Sequence, residues 1–219
     1  MTTLPERLKS EYFKRVIESI LVQNPTRIIL NIPYICNRSQ IVYVIPNWIK
    51  NHKKIIIHRT IDLGPATKIL GSLQLFKDVN VPIVQLDDDI IYQSFVLSGL
   101  LKALKNYPND VNCFYTENGT PFGFSGCAAY SNTFLKLQEL TSFLTPDCTF
   151  VDDDWFGWAY KKLHINVRSV DKTKSWNYSA KSIDDHEPWF ELQHNTNRKE
   201  LQKQCAESLQ IFANQKITN

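Results

Sequence analysis

Residues 81–92 read Val81-Pro82-Ile83-Val84-Gln85-Leu86-Asp87-Asp88-Asp89-Ile90-Ile91-Tyr92. The apolar run over 81–86 predicts a buried strand, and it ends in three consecutive carboxylates. Adjacent carboxylates repel one another and are costly where burial begins, so a strand end that tolerates three of them points to a divalent cation held by oxygen ligands. Side chains alternate along extended backbone, which puts Asp87 and Asp89 on one side as a D-x-D pair and Asp88 on the other. The competing reading is an acidic turn whose Asp caps a following helix. The strand favours the metal reading, because ligands of open α/β sheets bind beyond the carboxyl ends of the strands.

Outward from this stretch, helical and β-branched segments alternate. Toward the N-terminus, an apolar stripe over 8–22 predicts a surface helix, and short runs at 27–32 and 54–58 predict buried strands, with helical spacing over 66–76. Toward the C-terminus, a helix is expected over 93–104, strands over 111–115 and 127–131 around a Gly-rich turn at 119–126, and helices over 132–144 and 152–163. A last strand is expected over 165–170, an aperiodic segment over 171–196 and a helix over 198–213. Strand–helix alternation of this kind implies α/β architecture: a mostly parallel central sheet with helices on both faces.

With 219 residues, 43% hydrophobic and 21% charged, the chain is suited to one folded domain and not to disorder. Its net charge of +3, spread along the sequence, is too weak a field to imply nucleic-acid or anionic-membrane binding. No apolar run reaches the ~20 residues of a membrane span. The five cysteines (Cys36, Cys113, Cys127, Cys148, Cys205) are odd in number and contain no CxxC pair, so reduced thiols and a cytoplasmic setting are expected.

Two further motifs carry chemistry. Arg59-Thr60-Ile61-Asp62-Leu63-Gly64-Pro65-Ala66-Thr67-Lys68 follows a predicted strand. There Asp62 could accept a hydrogen bond from a ligand N–H, and Lys68, one turn into a helix whose free N–H groups favour anions, could face phosphate. The bland alternative is a capped helix start with an exposed Lys. Thr149-Phe150-Val151-Asp152-Asp153-Asp154-Trp155-Phe156-Gly157-Trp158 is a second acidic triplet at a helix start, where capping and dipole compensation would account for one or two carboxylates but hardly three. Trp155 and Trp158 could stack on sugar faces or belong to the core.

Taken together, these residues resemble the nucleotide-sugar-binding half of a GT-A glycosyltransferase similar to family 2, from Thr2 to about Val170. The likeness is to the small transferase domains with which large DNA viruses of algae glycosylate capsid protein. The resemblance implies one domain over 1–219, with a nucleotide-sugar half at 1–110 and an acceptor-side half at 111–219. It implies Mn²⁺ or Mg²⁺ on Asp89 and Asp87, with the nucleotide-sugar set drawn from Thr3, Arg7, Arg59, Asp62, Lys68, Asp87 and Asp88. Thr2 to Arg7 would be the loop against the base, although the apolar strand that usually precedes it is missing. The acidic pair near the second helix start supplies the catalytic base, here Asp153, with Asp152 and Asp154 as neighbours still open. A C-terminal His in the metal shell would be His186, with His194 the alternative, and the 122–127 loop would lie close to the donor sugar.

The expected function is therefore transfer of a sugar, such as glucose or a deoxyhexose, from a UDP-sugar to an acceptor hydroxyl with inversion. The acceptor would be a glycan or glycoprotein, recognised in part by further domains of a longer polypeptide. A metal-dependent nucleotidyl- or phosphoryl-transferase and a non-catalytic nucleotide-sugar-binding module are the competing functions. The first lacks a G-x-x-x-x-G-K-[ST] phosphate cradle.

Overall fold

The computed structural model describes residues 1–170, 180–182 and 198–213. In chain order these form α1 (Glu11–Leu21), β1 (Ile28–Pro33), α2 (Asn47–Lys50), β2 (Ile55–Thr60), α3 (Thr67–Leu70), β3 (Pro82–Gln85), β4 (Ile90–Tyr92) and α4 (Val96–Asn106). There follow β5 (Val111–Cys113), β6 (Thr116–Glu117), β7 (Thr120–Pro121), β8 (Cys127–Tyr130), α5 (Ser131–Leu135), α6 (Asp152–Lys162), β9 (Val167–Ser169), β10 (Ala180–Ser182) and α7 (Arg198–Ala213).

The architecture is mixed α/β, but among the described residues the strands do not form the expected single, mostly parallel sheet. A four-stranded sheet has the order β3-β8-β5-β9, in which β8 runs antiparallel to both of its neighbours and only β5–β9 is parallel. The reason lies between β5 and β8. A parallel return needs a crossover, usually helical, and residues 114–126 instead form the β6–β7 hairpin and a 3₁₀ turn, so β8 comes straight back. The hairpin turn, Asn118-Gly119, has positive φ at both residues (50° and 82°), the pairing that a tight two-residue hairpin requires. Parallel β1–β2 forms its own pair, and β4 pairs antiparallel with β10. Residues 1–3 lie along β1: the Asn31 N–H donates to the Met1 carbonyl at 2.9 Å, and the Thr2 hydroxyl donates to the Asn31 carbonyl at 2.8 Å.

Helices do cover both faces of the four-stranded sheet. Along β8, Ala128 belongs to one apolar cluster with Phe13, Ile17, Val96 and Leu100, whereas Cys127 and Ala129 belong to a second with Phe134, Leu137, Trp155 and Tyr160. The period of two sends alternate side chains to α1 and α4 on one face and to α5 and α6 on the other. On the first face the side chain of Gln23, two residues beyond α1, accepts the Leu97 N–H at 2.9 Å near the start of α4.

Four of the five cysteines are paired, contrary to the expectation of reduced thiols. Cys113–Cys127 joins residues directly opposite on β5 and β8, and Cys148–Cys205 ties a 3₁₀ turn at Pro146–Cys148 to α7. Cys36 alone is free, and it is buried. Among the described residues no helix is long and apolar enough to cross a membrane.

Candidate active site

The first acidic triplet is a turn between β3 and β4. The strand ends at Gln85, so extended alternation does not run through the triplet, and all three carboxylates line one cavity. Asp87 accepts the Lys68 ammonium at 2.8 Å, while Arg7 Nη1 reaches Asp88 Oδ1 at 2.9 Å and Asp89 Oδ2 at 3.1 Å. Tyr92 closes the turn from behind. Its phenol oxygen accepts the Asp87 N–H at 2.8 Å and its O–H donates to the Phe124 carbonyl at 3.0 Å. Burial, and next the Asp87 carboxylate, push the Tyr92 phenol well above its ordinary pKa, so it stays a neutral donor.

Lys68 reaches this turn because α3 is pinned beneath it. The buried Asn31 amide donates to the Thr67 and Lys68 carbonyls (3.1 and 3.2 Å) and to the Ser72 hydroxyl (3.1 Å), and Thr67 Oγ1 accepts the Leu63 N–H at 2.8 Å. The Lys68 side chain is only 5% exposed, not the solvated Lys of a plain helix start. Its second partner is Asp152 Oδ2 at 3.0 Å. Burial alone would disfavour the ammonium, but Asp152, Asp87 and Asp153 together outweigh it and hold Lys68 charged, well above its usual range.

The second triplet opens α6, where successive side chains point ~100° apart. Each therefore meets a different environment. Asp152 pairs with Lys68; Asp153 accepts the Gly123 N–H at 3.0 Å and lies 4.0 Å from Arg198; Asp154 accepts from the Gln202 amide of α7 at 3.1 Å. Burial, then the neighbouring Asp152 carboxylate, push Asp153 up to about 7, with Lys68 working in the opposite direction. Glycine at residue 123 leaves room for this approach: a Cβ there would lie well inside contact distance of the Gln85 amide nitrogen and 3.0 Å from the Lys68 ammonium, so those side-chain ends would have to shift.

The first triplet and two carboxylates of the second line one cavity of about 690 Å³. Its lining includes Thr3, Arg7, Asp62, Lys68, Asp87, Asp88, Asp89, Asp152 and Asp153, so most of the expected site residues come together. Thr3 is buried and its carbonyl accepts the Tyr43 hydroxyl at 2.9 Å. The Asp62 carboxylate clamps a loop, accepting the Asn37 N–H at 2.7 Å and the Gly64 N–H at 2.8 Å. Arg59 is not part of the lining: it donates to the Pro33 carbonyl at 2.8 Å and lies over the Tyr34 ring. Asp154 also stays outside the lining, as do Trp155 and Trp158, which pack in the second core with Phe156 and Phe143 respectively. Cys127 is consumed by its disulfide. His186 and His194 lie outside the described residues. Arg38, Tyr43, Phe150 and Arg198 line the cavity without having been read from the sequence. Phe150, two residues before the acidic triplet, had a local signal; Arg198 had none, being brought in by α7.

The cavity lining holds six carboxylates (Asp62, Asp87, Asp88, Asp89, Asp152, Asp153) against four cationic side chains (Arg7, Arg38, Lys68, Arg198). Burial first, and Asp88 second, push the Asp89 carboxyl up to about 7 despite the Arg7 guanidinium beside it. Among the described residues no group of three or more His, Cys, Asp or Glu side chains is arranged to hold a metal ion. The donor chemistry nonetheless fits a hard divalent cation. The donors are all carboxylate oxygens, the excess charge is negative, and Asp88 Oδ2 is buried with no hydrogen-bond partner.

No family model and no curated protein matches the chain.

Proposed function

We propose that the chain is a metal-dependent glycosyltransferase of GT-A-like fold that moves a sugar from a UDP-sugar to the hydroxyl of a glycan or glycoprotein, with inversion. One observation carries this reading. Two acidic triplets distant in sequence meet at one cavity across a shared, buried Lys68, and one carboxylate of the second set, Asp153, has a pKa near neutrality.

The division of labour follows from the partners. A general base must be ionised at working pH yet basic enough to take a proton, which suits a carboxylate pushed up to about 7. Asp153 takes the acceptor hydroxyl proton as that oxygen forms its bond to the anomeric carbon, and the bond from that carbon to the diphosphate breaks with its electron pair on the β-phosphate oxygen. Asp152 is already engaged by the Lys68 ammonium at 3.0 Å, and Asp154 lies outside the cavity lining. Asp87 and Asp89 would hold the cation, with Asp88 beside them, and the bound cation would offset charge on the diphosphate leaving group. Arg7 and Lys68 add positive charge on the same side, and Gly123 lets backbone approach the sugar. Two disulfides suit an oxidising compartment better than the cytoplasm.

The test is turnover of a panel of UDP-sugars with Mn²⁺. Asp89→Ala should abolish cation-dependent UDP-sugar binding and turnover, and EDTA should do the same to the unaltered protein. Full activity in EDTA would remove the metal role. Binding of UDP-sugars with neither transfer nor hydrolysis would leave a binding module.

A further inference from the structure

Tyr92 closes β4, whose alternation buries Ile90 and Tyr92 and leaves Ile91 half-buried, so the phenol points into the protein and is 3% exposed. Its backbone N–H is held by the Ser19 hydroxyl of α1 at 3.2 Å. A phenylalanine would fill such a place; a buried hydroxyl also needs partners, and this one has two. It accepts the Asp87 N–H at 2.8 Å and donates to the Phe124 carbonyl at 3.0 Å. One partner is backbone of the first acidic turn, and the other is backbone of the 3₁₀ turn Gly123–Ser125.

That 3₁₀ turn is braced on its own account. Ser125, fully buried, accepts the Tyr115 N–H at 2.9 Å and donates to the Phe122 carbonyl at 2.8 Å, and the Gly126 N–H returns to the Gly123 carbonyl at 3.0 Å. At its start the Gly123 N–H donates to Asp153 Oδ1 at 3.0 Å. A continuous path therefore runs from the Asp87 backbone through the Tyr92 hydroxyl and the 3₁₀ turn to the Asp153 carboxylate. Lys68 joins the same two triplets, but an ammonium is a point charge that fixes separation more than angle. Hydrogen bonds to backbone groups fix both.

We propose that Tyr92 is a positioning residue: its hydroxyl sets where Asp153 stands relative to the first acidic turn, and so the line along which the entering oxygen meets the anomeric carbon as the diphosphate departs. The inference rests on the transferase reading above and goes beyond it, since Tyr92 is not in the cavity lining. Inversion places the entering and leaving oxygens on opposite sides of one carbon, and a misplacement of about 1 Å costs on the order of 10²-fold in rate. Nucleotide binding depends on the side chains of the turn and is spared.

The experiment compares the full chain with Tyr92→Phe, which keeps the ring and removes the hydroxyl. Binding of UDP in the presence of Mn²⁺, measured by calorimetry, should change less than about twofold, while kcat for hydrolysis across the UDP-sugar panel falls about 10–100-fold when counted per UDP-binding site. In hydrolysis the water oxygen bonds to the anomeric carbon, its proton goes to Asp153, and UDP leaves with the electron pair of the broken bond. Ser125→Ala loosens the same 3₁₀ turn from its other side and should show the same split between affinity and kcat. Hydrogen exchange read by mass spectrometry adds a measure that needs no turnover and no variant: Mn²⁺ with UDP should slow exchange several-fold over 122–127 as well as over 86–92 in the unaltered protein, and only over 86–92 in Tyr92→Phe. An unchanged kcat in Tyr92→Phe overturns the proposal, as does an equal loss of affinity and kcat, which would make Tyr92 a mere support of the turn, or exchange over 122–127 that ignores Mn²⁺ and UDP while 86–92 responds. Failure of the unaltered protein to bind UDP, or to turn over any UDP-sugar, would instead remove the transferase reading and the positioning role with it.

Discussion

The chain contains the same three letters twice, Asp87-Asp88-Asp89 and Asp152-Asp153-Asp154, and the backbone makes different chemistry of each. In the turn after β3 all three carboxylates line the cavity and share two cations, Lys68 and Arg7. In the first turn of α6 they fan out, so that one is neutralised by Lys68, one is held in the cavity by a backbone N–H, and one is bonded to α7. A turn concentrates negative charge, which suits a multivalent cation. A helix start separates it, which lets a single carboxyl be tuned as a base. Lys68 is the common member, and it is the first place to break the comparison.

Lys68→Met should cost about 3–5 kcal/mol of folding stability, because it leaves Asp87 and Asp152 without their buried partner; denaturant unfolding measures this. A loss below about 1 kcal/mol would mean that the two triplets are not coupled through this residue. Asp153→Asn should lower the transfer rate about 10²–10⁴-fold with donor binding intact. It should not destabilise the protein at pH 8. The pKa of Asp153 is raised in the folded state, so its contribution to stability is complete below its ordinary 3.8 and lost as pH rises through about 7, a loss that the amide escapes. If Asp153 is the base, kcat of the unaltered protein should fall about tenfold per pH unit below about 7, as that base is protonated. A flat profile in that range would shift the role of base away from Asp153.

The disulfides sharpen the comparison from the α6 side. Cys148–Cys205 closes 57 residues of chain and holds α7, which brings Arg198 and Gln202 to the second triplet; Cys113–Cys127 closes only 14 and joins strands that are already paired. By loop-closure entropy the first is worth about 4 kcal/mol and the second about 3 kcal/mol. Replacing Cys148 and Cys205 by Ser should therefore lower the unfolding midpoint more than replacing Cys113 and Cys127. Only the former should also reduce turnover beyond what the lost stability explains.

Local pattern made the elements legible. The expected segments at 54–58, 93–104 and 152–163 became β2, α4 and α6 within a few residues, because each carries a strong period or a run of branched side chains. Pairing was not legible in the same way. Nothing in residues 114–126 except Asn118-Gly119 announces the hairpin that turns β8 antiparallel, and the disulfide between Cys113 and Cys127 depends on that register. The expected helix over 132–144 is α only at α5 and continues as a 3₁₀ segment through Phe143. At the site, carboxylates were readable as clusters, but their partners were not: that Lys68 reaches both triplets, and that Arg59 turns away to Pro33 and Tyr34, are facts of tertiary placement.

The smallest expected effect is also the cleanest discriminator within the second triplet. Gln202 Nε2 donates to Asp154 Oδ2 at 3.1 Å, and it opposes the rise in the Asp154 pKa that burial causes. Gln202→Ala removes one partly buried hydrogen bond, worth about 0.5–1.5 kcal/mol, and moves the Asp154 pKa further up. If Asp153 is the base, this variant should transfer sugar within about twofold of the unaltered rate, and the acid limb of the pH profile should stay where it is. If Asp154 were the base, the acid limb would move to higher pH along with its carboxyl. The position of that limb, not the size of the rate change, therefore tells which carboxylate of the fan-shaped triplet takes the proton.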